Sequence, residues 1–134
     1  MKSRTIIIAI GLSLGLLNAA PAMADEFSKQ DVYDWYKEYL AVVRKGDKLF
    51  HKALGDNSVS CDQCHPNATN THPETYPKFQ NQLGKVATLH EMINWCIRNT
   101  ADGQDLAADD PDMIALQAYI AYERRGVRLD PGKH

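Results

Sequence analysis

The chain has 134 residues, of which 44% are hydrophobic and 24% are charged, so it can build one hydrophobic core but not two independent ones. Its formal charge of −2 argues against nucleic acid as a partner, because phosphate binding needs a basic surface. Three cysteines cannot form a disulfide framework without leaving one over, and two of them stand in one short motif.

Residues 1–24 are predicted to be a cleaved secretory signal peptide. Lys2 and Arg4 precede an apolar run of about 16 residues, which is shorter than the ~20 residues that a membrane-spanning helix needs. Ala22-Met23-Ala24 then gives the small-x-small cleavage pattern. Cleavage after Ala24 would leave 134 − 24 = 110 residues, and we expect this chain to be periplasmic and without a membrane span.

The mature chain divides into a helical extension, a main domain and a tail. Residues 25–45 form the extension, whose helix is expected to start at the cap residue Ser28 and to be interrupted at Gly46. Residues 46–128 form the domain, beginning with a second short helical piece, and residues 129–134 are expected to be a loosely held tail.

Local signals place two further helices in the domain. Three prolines in residues 66–82 indicate a structured loop, after which Thr88 and Glu91 form a capping box at a helix start. The last helix is predicted to start with Asp110 as its cap and Pro111 in its first turn. Because no persistent alternation with a period of two is found, the predicted fold class is all-α.

The aromatic residues of the extension predict a contact with another protein. They cover nearly all azimuths of the helix, so some are exposed unless a partner covers them: Tyr33, Trp35, Tyr36 and Tyr39. The partner is a second copy or a different protein, and the alternative is that the helix wraps the domain and buries these rings.

The motif that carries chemistry is Cys61-Asp62-Gln63-Cys64-His65, which is the C-x-x-C-H attachment signature of c-type haem. Cys61 and Cys64 can each add to one haem vinyl group, and His65 then supplies the proximal nitrogen ligand of the iron. A thioredoxin-like redox pair is disfavoured because it would need a βαβ pattern, and none is visible in the sequence. A zinc site is disfavoured because the spacings of the possible ligands match no common zinc module. The sequence therefore predicts one covalent haem c.

Five residues compete for the other face of the iron. Met113 is expected to pack in the core, His72 to contact a propionate or the loop, and His90 to be solvated. Met92 and Cys96 lie four residues apart and hence on one helix face, where both are core residues unless one binds the iron. A thiolate bond to ferric iron would explain why an exported protein keeps a third cysteine.

The helices resemble those of class I cytochromes c, in which an N-terminal helix with a glycine and an aromatic residue crosses the C-terminal helix. Gly46 and Phe50 correspond to the first helix, and Leu116, Tyr119 and Ile120 to the second. The resemblance implies a class I cytochrome c-like haem domain with an extra N-terminal helix.

The second half resembles the Cys-ligated haem domain of thiosulfate dehydrogenases and of SoxA cytochromes, which implies that Cys96 is the distal ligand. The resemblance rests on residues 76–79, 84–86, 88–98, 102–106 and 116–126. Two features depart from it. The chain has one C-x-x-C-H motif where the thiosulfate-oxidising enzymes usually carry two haems, and Met92 stands where they often place an arginine.

Three functions follow as hypotheses. The first is a periplasmic one-electron carrier of low potential with His65 and Cys96 as axial ligands, which docks with redox partner proteins in sulfur-compound or related respiratory electron transfer. The second is a subunit of a thiosulfate-oxidising enzyme, in which Cys96 binds a sulfur anion. The third is a haem protein that binds nitric oxide or carbon monoxide when Cys96 leaves the iron.

Overall fold

The computed structural model describes residues 27–133, and the predicted signal peptide lies outside this range. Its three α-helices are α1 (Lys29–Phe50), α2 (Leu89–Asn99) and α3 (Pro111–Glu123). A two-stranded antiparallel hairpin precedes α2 and consists of β1 (Lys78–Gln80) and β2 (Lys85–Ala87). The all-α prediction is confirmed, although the hairpin was not predicted. Between residues 27 and 133, no helix is both long enough and apolar enough to cross a membrane.

Helix α1 is continuous through Gly46, so the predicted interruption there is wrong. Its N-terminus is held by a capping box, in which the Asp31 backbone N–H donates to Ser28 Oγ (3.1 Å) and the Ser28 N–H donates to Asp31 Oδ2 (2.9 Å). The helix ends at Phe50, so it takes in the start of the second helical piece that was expected to be separate. A glycine inside a helix lowers its stability by about 1 kcal/mol relative to alanine, so packing must offset the cost of Gly46.

The packing that requires Gly46 is its close contact with α3. A Cβ atom at Gly46 would lie 1.9 Å from the carbonyl oxygen of Ala115 and 2.7 Å from Cβ of Tyr119. The approach brings the ring centroids of Phe50 and Tyr119 to 5.1 Å. This crossing matches the arrangement implied by the resemblance to class I cytochromes c, and it builds the larger part of the core: Val43, Phe50, Met113, Leu116, Tyr119 and Ile120.

Helices α2 and α3 begin at the predicted caps. The Glu91 N–H donates to Thr88 Oγ1 (3.3 Å), and the Thr88 N–H donates to Glu91 Oε2 (2.8 Å). Asp110 accepts a hydrogen bond from the Asp112 N–H (2.7 Å), and Pro111 occupies the first turn of α3. These hydrogen bonds satisfy backbone donors that have no partner within the helix itself, which is why the boundaries are visible in the sequence.

A buried charged group fixes the loop before the hairpin. Glu74 Oε1 accepts hydrogen bonds from Arg124 at the end of α3 (3.2 Å) and from His72 Nδ1 (3.0 Å). Burial raises the pKa of Glu74, but hydrogen bonds from the backbone, His72 and Arg124 outweigh it and hold the pKa at about 2. The carboxylate therefore stays ionised and ties the loop to α3.

The C-terminal tail is bonded to the same loop, so the expectation of a loosely held tail is wrong. The backbone N–H of Asp130 donates to the carbonyl of Glu74 (2.9 Å), and that of Gly132 donates to the carbonyl of Thr75 (2.9 Å). Residues 66–82 show no helical or strand periodicity, so the sequence gives no sign that their backbone offers acceptors to the tail.

Replacing Gly46 by alanine is expected to lower the free energy of unfolding by about 3 kcal/mol, because the added methyl group overlaps the Ala115 backbone and forces α1 and α3 apart. Chemical denaturation of the haem-loaded protein, followed by far-UV circular dichroism, measures the change. Ala41→Ser adds an atom on the exposed side of the same helix and should change the value by less than about 0.5 kcal/mol. Equal stability of Gly46→Ala and wild type would contradict the close crossing.

Candidate functional site: a cysteine- and histidine-lined cavity

A cavity of about 460 Å³ opens between the helices and the loop that follows α1. This volume falls in the range of cofactor sites, ~300–1,000 Å³. Its apolar wall comes from all three helices and consists mainly of Phe50, Leu89, Ile93, Ile97, Leu116 and Ile120. The α1–α3 crossing thus supplies one part of the wall and α2 another, which makes the space suited to an apolar ligand.

The C-x-x-C-H motif lies at this cavity. A short 3₁₀ turn spans Cys61–Gln63, and the His65 N–H donates to the Cys61 carbonyl (2.9 Å). This turn brings Cys61, Cys64 and His65 to the cavity lining, with Cys64 more exposed to solvent than Cys61. The motif therefore presents two thiols and an imidazole to the same space.

A backbone hydrogen bond selects the tautomer of His65. Its Nδ1 lies 3.0 Å from the carbonyl oxygen of Thr69, which can only accept, so Nδ1 carries the proton. The other ring nitrogen, Nε2, then bears the lone pair that a metal ligand needs. The local fold thus prepares His65 for binding iron through Nε2.

Cys96 of α2 faces the same cavity as the motif cysteines. Burial raises the pKa of the Cys61 thiol to about 11, and the nearby Cys96 and Asp62 add to the effect. Burial also raises the pKa of Cys96, with a further contribution from Cys64. All three cysteines line the same cavity, and burial favours the uncharged forms of Cys61 and Cys96.

The structure separates the remaining candidates for the distal ligand. Met92 lines the cavity, one turn before Cys96, whereas Met113 is fully buried in the core and does not line it. His72 is held by Glu74 outside the cavity. His90 is half-buried, and its Nε2 lies 3.1 Å from the Leu106 carbonyl, so the expectation that it is solvated is wrong.

Sequence reasoning missed a polar group at the cavity wall, formed by Tyr76 and residues of the hairpin. Gln80 Nε2 donates to the Tyr76 hydroxyl oxygen (2.6 Å), and Lys78 Nζ lies 5.0 Å from the centroid of the Tyr76 ring. Burial raises the pKa of Tyr76. The hydrogen bond from Gln80 opposes this increase, and the charge of Cys96 adds to it. Lys78 is the lining residue with a permanent positive charge in the described part of the chain. Its position depends on the short hairpin, for which the sequence has no periodic signal.

Comparisons with known proteins agree on one family. The family model described as SoxA/TsdA, cytochrome c domain, matches residues 45–129. The thiosulfate dehydrogenase of Psychrobacter arcticus is 26% identical over 99 residues, which cover 63% of this chain and 30% of that protein. The L-cysteine S-thiosulfotransferase subunit SoxA of Rhodovulum sulfidophilum is 26% identical over 106 residues, which cover 77% of this chain and 37% of that protein.

A solved structure shares the fold. SoxXA from P. pantotrophus superposes with a TM-score of 0.64 at 20% identity, over 73% of this chain and 38% of that chain. The chain spans about a third of the length of the curated relatives it matches.

Domains of the matching family bind haem c covalently, and the residues present here fit that group. Cys61 and Cys64 would be the two thioether donors. The Nδ1–H of His65 donates to the Thr69 carbonyl, which would leave Nε2 for the iron. The cavity wall is predominantly apolar, as a porphyrin requires. The cofactor prediction of one covalent haem c is therefore confirmed.

Replacing both Cys61 and Cys64 by serine is expected to abolish covalent haem attachment, because no thiol remains to add to the vinyl groups. Haem staining of a denaturing gel, after expression with a cytochrome c maturation system, checks this result. Cys96→Ser is the matched control and should keep the stain at the level of the wild type. A stained double variant, or an unstained Cys96→Ser, would contradict the assignment of the attachment residues.

Proposed function

The chain belongs to the SoxA/TsdA cytochrome c family, and from this premise we propose that it is an exported one-electron carrier with His65 and Cys96 as the axial ligands of its haem. The observation that carries the proposal is the convergence of His65, Cys96 and both motif cysteines on one cavity. Electron transport in sulfur oxidation is the role that the family as a whole supports.

Two sulfur-bearing side chains of α2 line the cavity, and we choose Cys96 over Met92. Cys96 shares this cavity with Cys61, Cys64 and His65. The resemblance of the second half of the chain to Cys-ligated haem domains implies that the Cys96 thiol is the distal donor. Met92, one turn away, remains the nearest alternative donor.

When bound, haem c supplies one-electron chemistry at its iron. The residues of the chain set the conditions for it. The thioether bonds of Cys61 and Cys64 keep the cofactor in place in both oxidation states, and the Thr69 carbonyl orients His65. Thiolate donation by Cys96 favours the ferric state, so we expect a potential below that of a His/Met cytochrome.

Export and partner binding complete the proposal. The N-terminal sequence is that of a signal peptide, and covalent haem is attached after export, so we place the mature chain in the periplasm. SoxA is named as a subunit of L-cysteine S-thiosulfotransferase, and we extend assembly with a second redox protein to this chain. Electrons would pass at the solvent-exposed edge of the cavity near Cys64, through a weak and transient contact.

Cys96→Ala is expected to abolish the low-spin ferric EPR signal with the narrow g-spread of thiolate ligation. The reduction potential should rise by on the order of 100 mV or more, well within the ~0.8 V range that axial ligands span. Met92→Leu is the matched control on the same helix face and should leave both the signal and the potential unchanged. If Met92→Leu changes the spectrum and Cys96→Ala does not, the ligand is Met92 and the proposed ligation is wrong.

A second candidate function is oxidation of thiosulfate at Cys96, and the position of Lys78 favours it. Met92 is uncharged at the position where the thiosulfate-oxidising enzymes often have an arginine, but Lys78 brings a positive charge to the same cavity. This charge attracts the thiosulfate dianion. Joining the Cys96 thiolate to thiosulfate forms one S–S bond and releases two electrons. One haem accepts one of them, so a partner haem protein would have to accept the other.

For this second function, Lys78→Met is expected to raise the KM for thiosulfate about tenfold with little change in kcat, because the lost charge acts on binding of the anion. Thiosulfate-dependent haem reduction in the presence of an excess of an oxidised c-type cytochrome measures both constants. Lys85→Met, on the same hairpin but paired with Glu91 at the surface, is the control and should match the wild type. A wild type that thiosulfate does not reduce would exclude this activity and leave the carrier function intact.

A further inference from the structure

Helix α1 carries an apolar seam that continues beyond the part covered by α3. The seam positions alternate in steps of four and three residues: Val32, Tyr36, Tyr39, Val43, Gly46 and Phe50. At 100° per residue they fall within about 80° of arc, so they form one stripe along the helix. Spacing of this kind is typical of a face that packs along its whole length against other helices.

The stripe is buried at one end and open at the other. The exposed fraction falls from 56% at Val32 and 52% at Tyr36 to 38% at Tyr39, and then to 5% at Val43 and 2% at Phe50. Tyr39 touches the last turns of α3, where its hydroxyl donates to the Ala118 carbonyl (3.4 Å). Upstream of Tyr39, no other element among residues 27–133 covers the seam.

The residues beside the open part of the seam are mostly apolar as well. Tyr33, Trp35 and Leu40 flank it, and Lys29 lies beside it in the first turn, while the other charged residues of this part lie on the far side of the helix: Asp31, Asp34, Lys37 and Glu38. The aromatic rings therefore share one broad side of α1. The prediction that they cover nearly all azimuths of the helix is wrong. Apart from Lys29 this open side is uncharged, so it has no cluster of charges that would select an acidic or a basic partner.

We propose that the open part of the seam binds the same surface of a second copy, so that two α1 helices pair across a twofold axis. The open part of the seam is largely apolar, so a second copy of the same surface matches it. A twofold arrangement also closes without leaving a free copy of the surface. At ~200 Å² for a full aromatic side chain, the exposed fractions leave on the order of 500 Å² of apolar surface per chain. A homodimer interface of about 800 Å² per partner, ~65% of it apolar, needs a similar amount.

The test is sedimentation equilibrium of the mature haem-loaded protein between about 1 and 200 μM. The wild type is expected to be a dimer at the upper end, and Tyr36→Glu is expected to raise the dimer dissociation constant at least tenfold by placing a charge in the seam. Hydrogen exchange should show protection of residues 29–39 that increases with protein concentration in the wild type and is lost in the variant. Tyr36 lies outside the core, so the variant should keep the melting temperature and haem spectrum of the wild type.

Ala41→Glu introduces the same charge on the exposed far side of α1 and is the matched control, with an expected dissociation constant equal to that of the wild type. A wild type that is monomeric at 200 μM would overturn the proposal and assign the seam to another protein or to residues before Phe27. A dimer that Tyr36→Glu does not weaken, or that Ala41→Glu weakens equally, would overturn it too.

Discussion

The close contact of α1 with α3 at Gly46 is the constraint on which the site depends. Only a residue without a side chain lets the two helices approach until the Ala115 carbonyl occupies the place of a Cβ atom. That approach sets Phe50 against Tyr119, and it lets Phe50 and Leu116 line the cavity from two different helices. The motif loop and α2 form the remaining sides of the cavity. Local hydrogen bonds hold both of them in place, and neither has a large core of its own.

The parts of this fold that could be predicted from the sequence are those encoded by neighbouring residues. The caps at Thr88 and Asp110, and the C-x-x-C-H turn, are satisfied within a few positions, so their signals are complete in the sequence. Gly46 was misinterpreted as a break because its role is a contact with a residue far along the chain. The hairpin around Lys78 has strands of only three residues, too short for a periodic pattern to appear.

The electrostatics of the cavity bear on the chemistry of Cys96. Burial raises the pKa of Cys96 and so favours its uncharged thiol in this apolar space. Binding to iron would reverse that preference, because a metal-bound thiol loses its proton. The same apolar wall opposes the entry of an anion, and Lys78 is the lining charge that can offset this cost. Electron transfer avoids the cost of placing an anion in this apolar cavity, since no charged substrate has to enter.

Helix α1 connects the cavity wall to the surface that remains open for assembly. Tyr36 and Phe50 lie on one stripe of a continuous helix, 14 residues and hence about 21 Å apart. Pairing of two chains around Tyr36 would therefore occur about 21 Å along the helix from Phe50. The motif edge at Cys64 belongs to the loop after α1, so it can stay accessible when α1 is paired. The proposed self-association and electron exchange would thus use different surfaces of the same chain, so a dimer could still bind its redox partner.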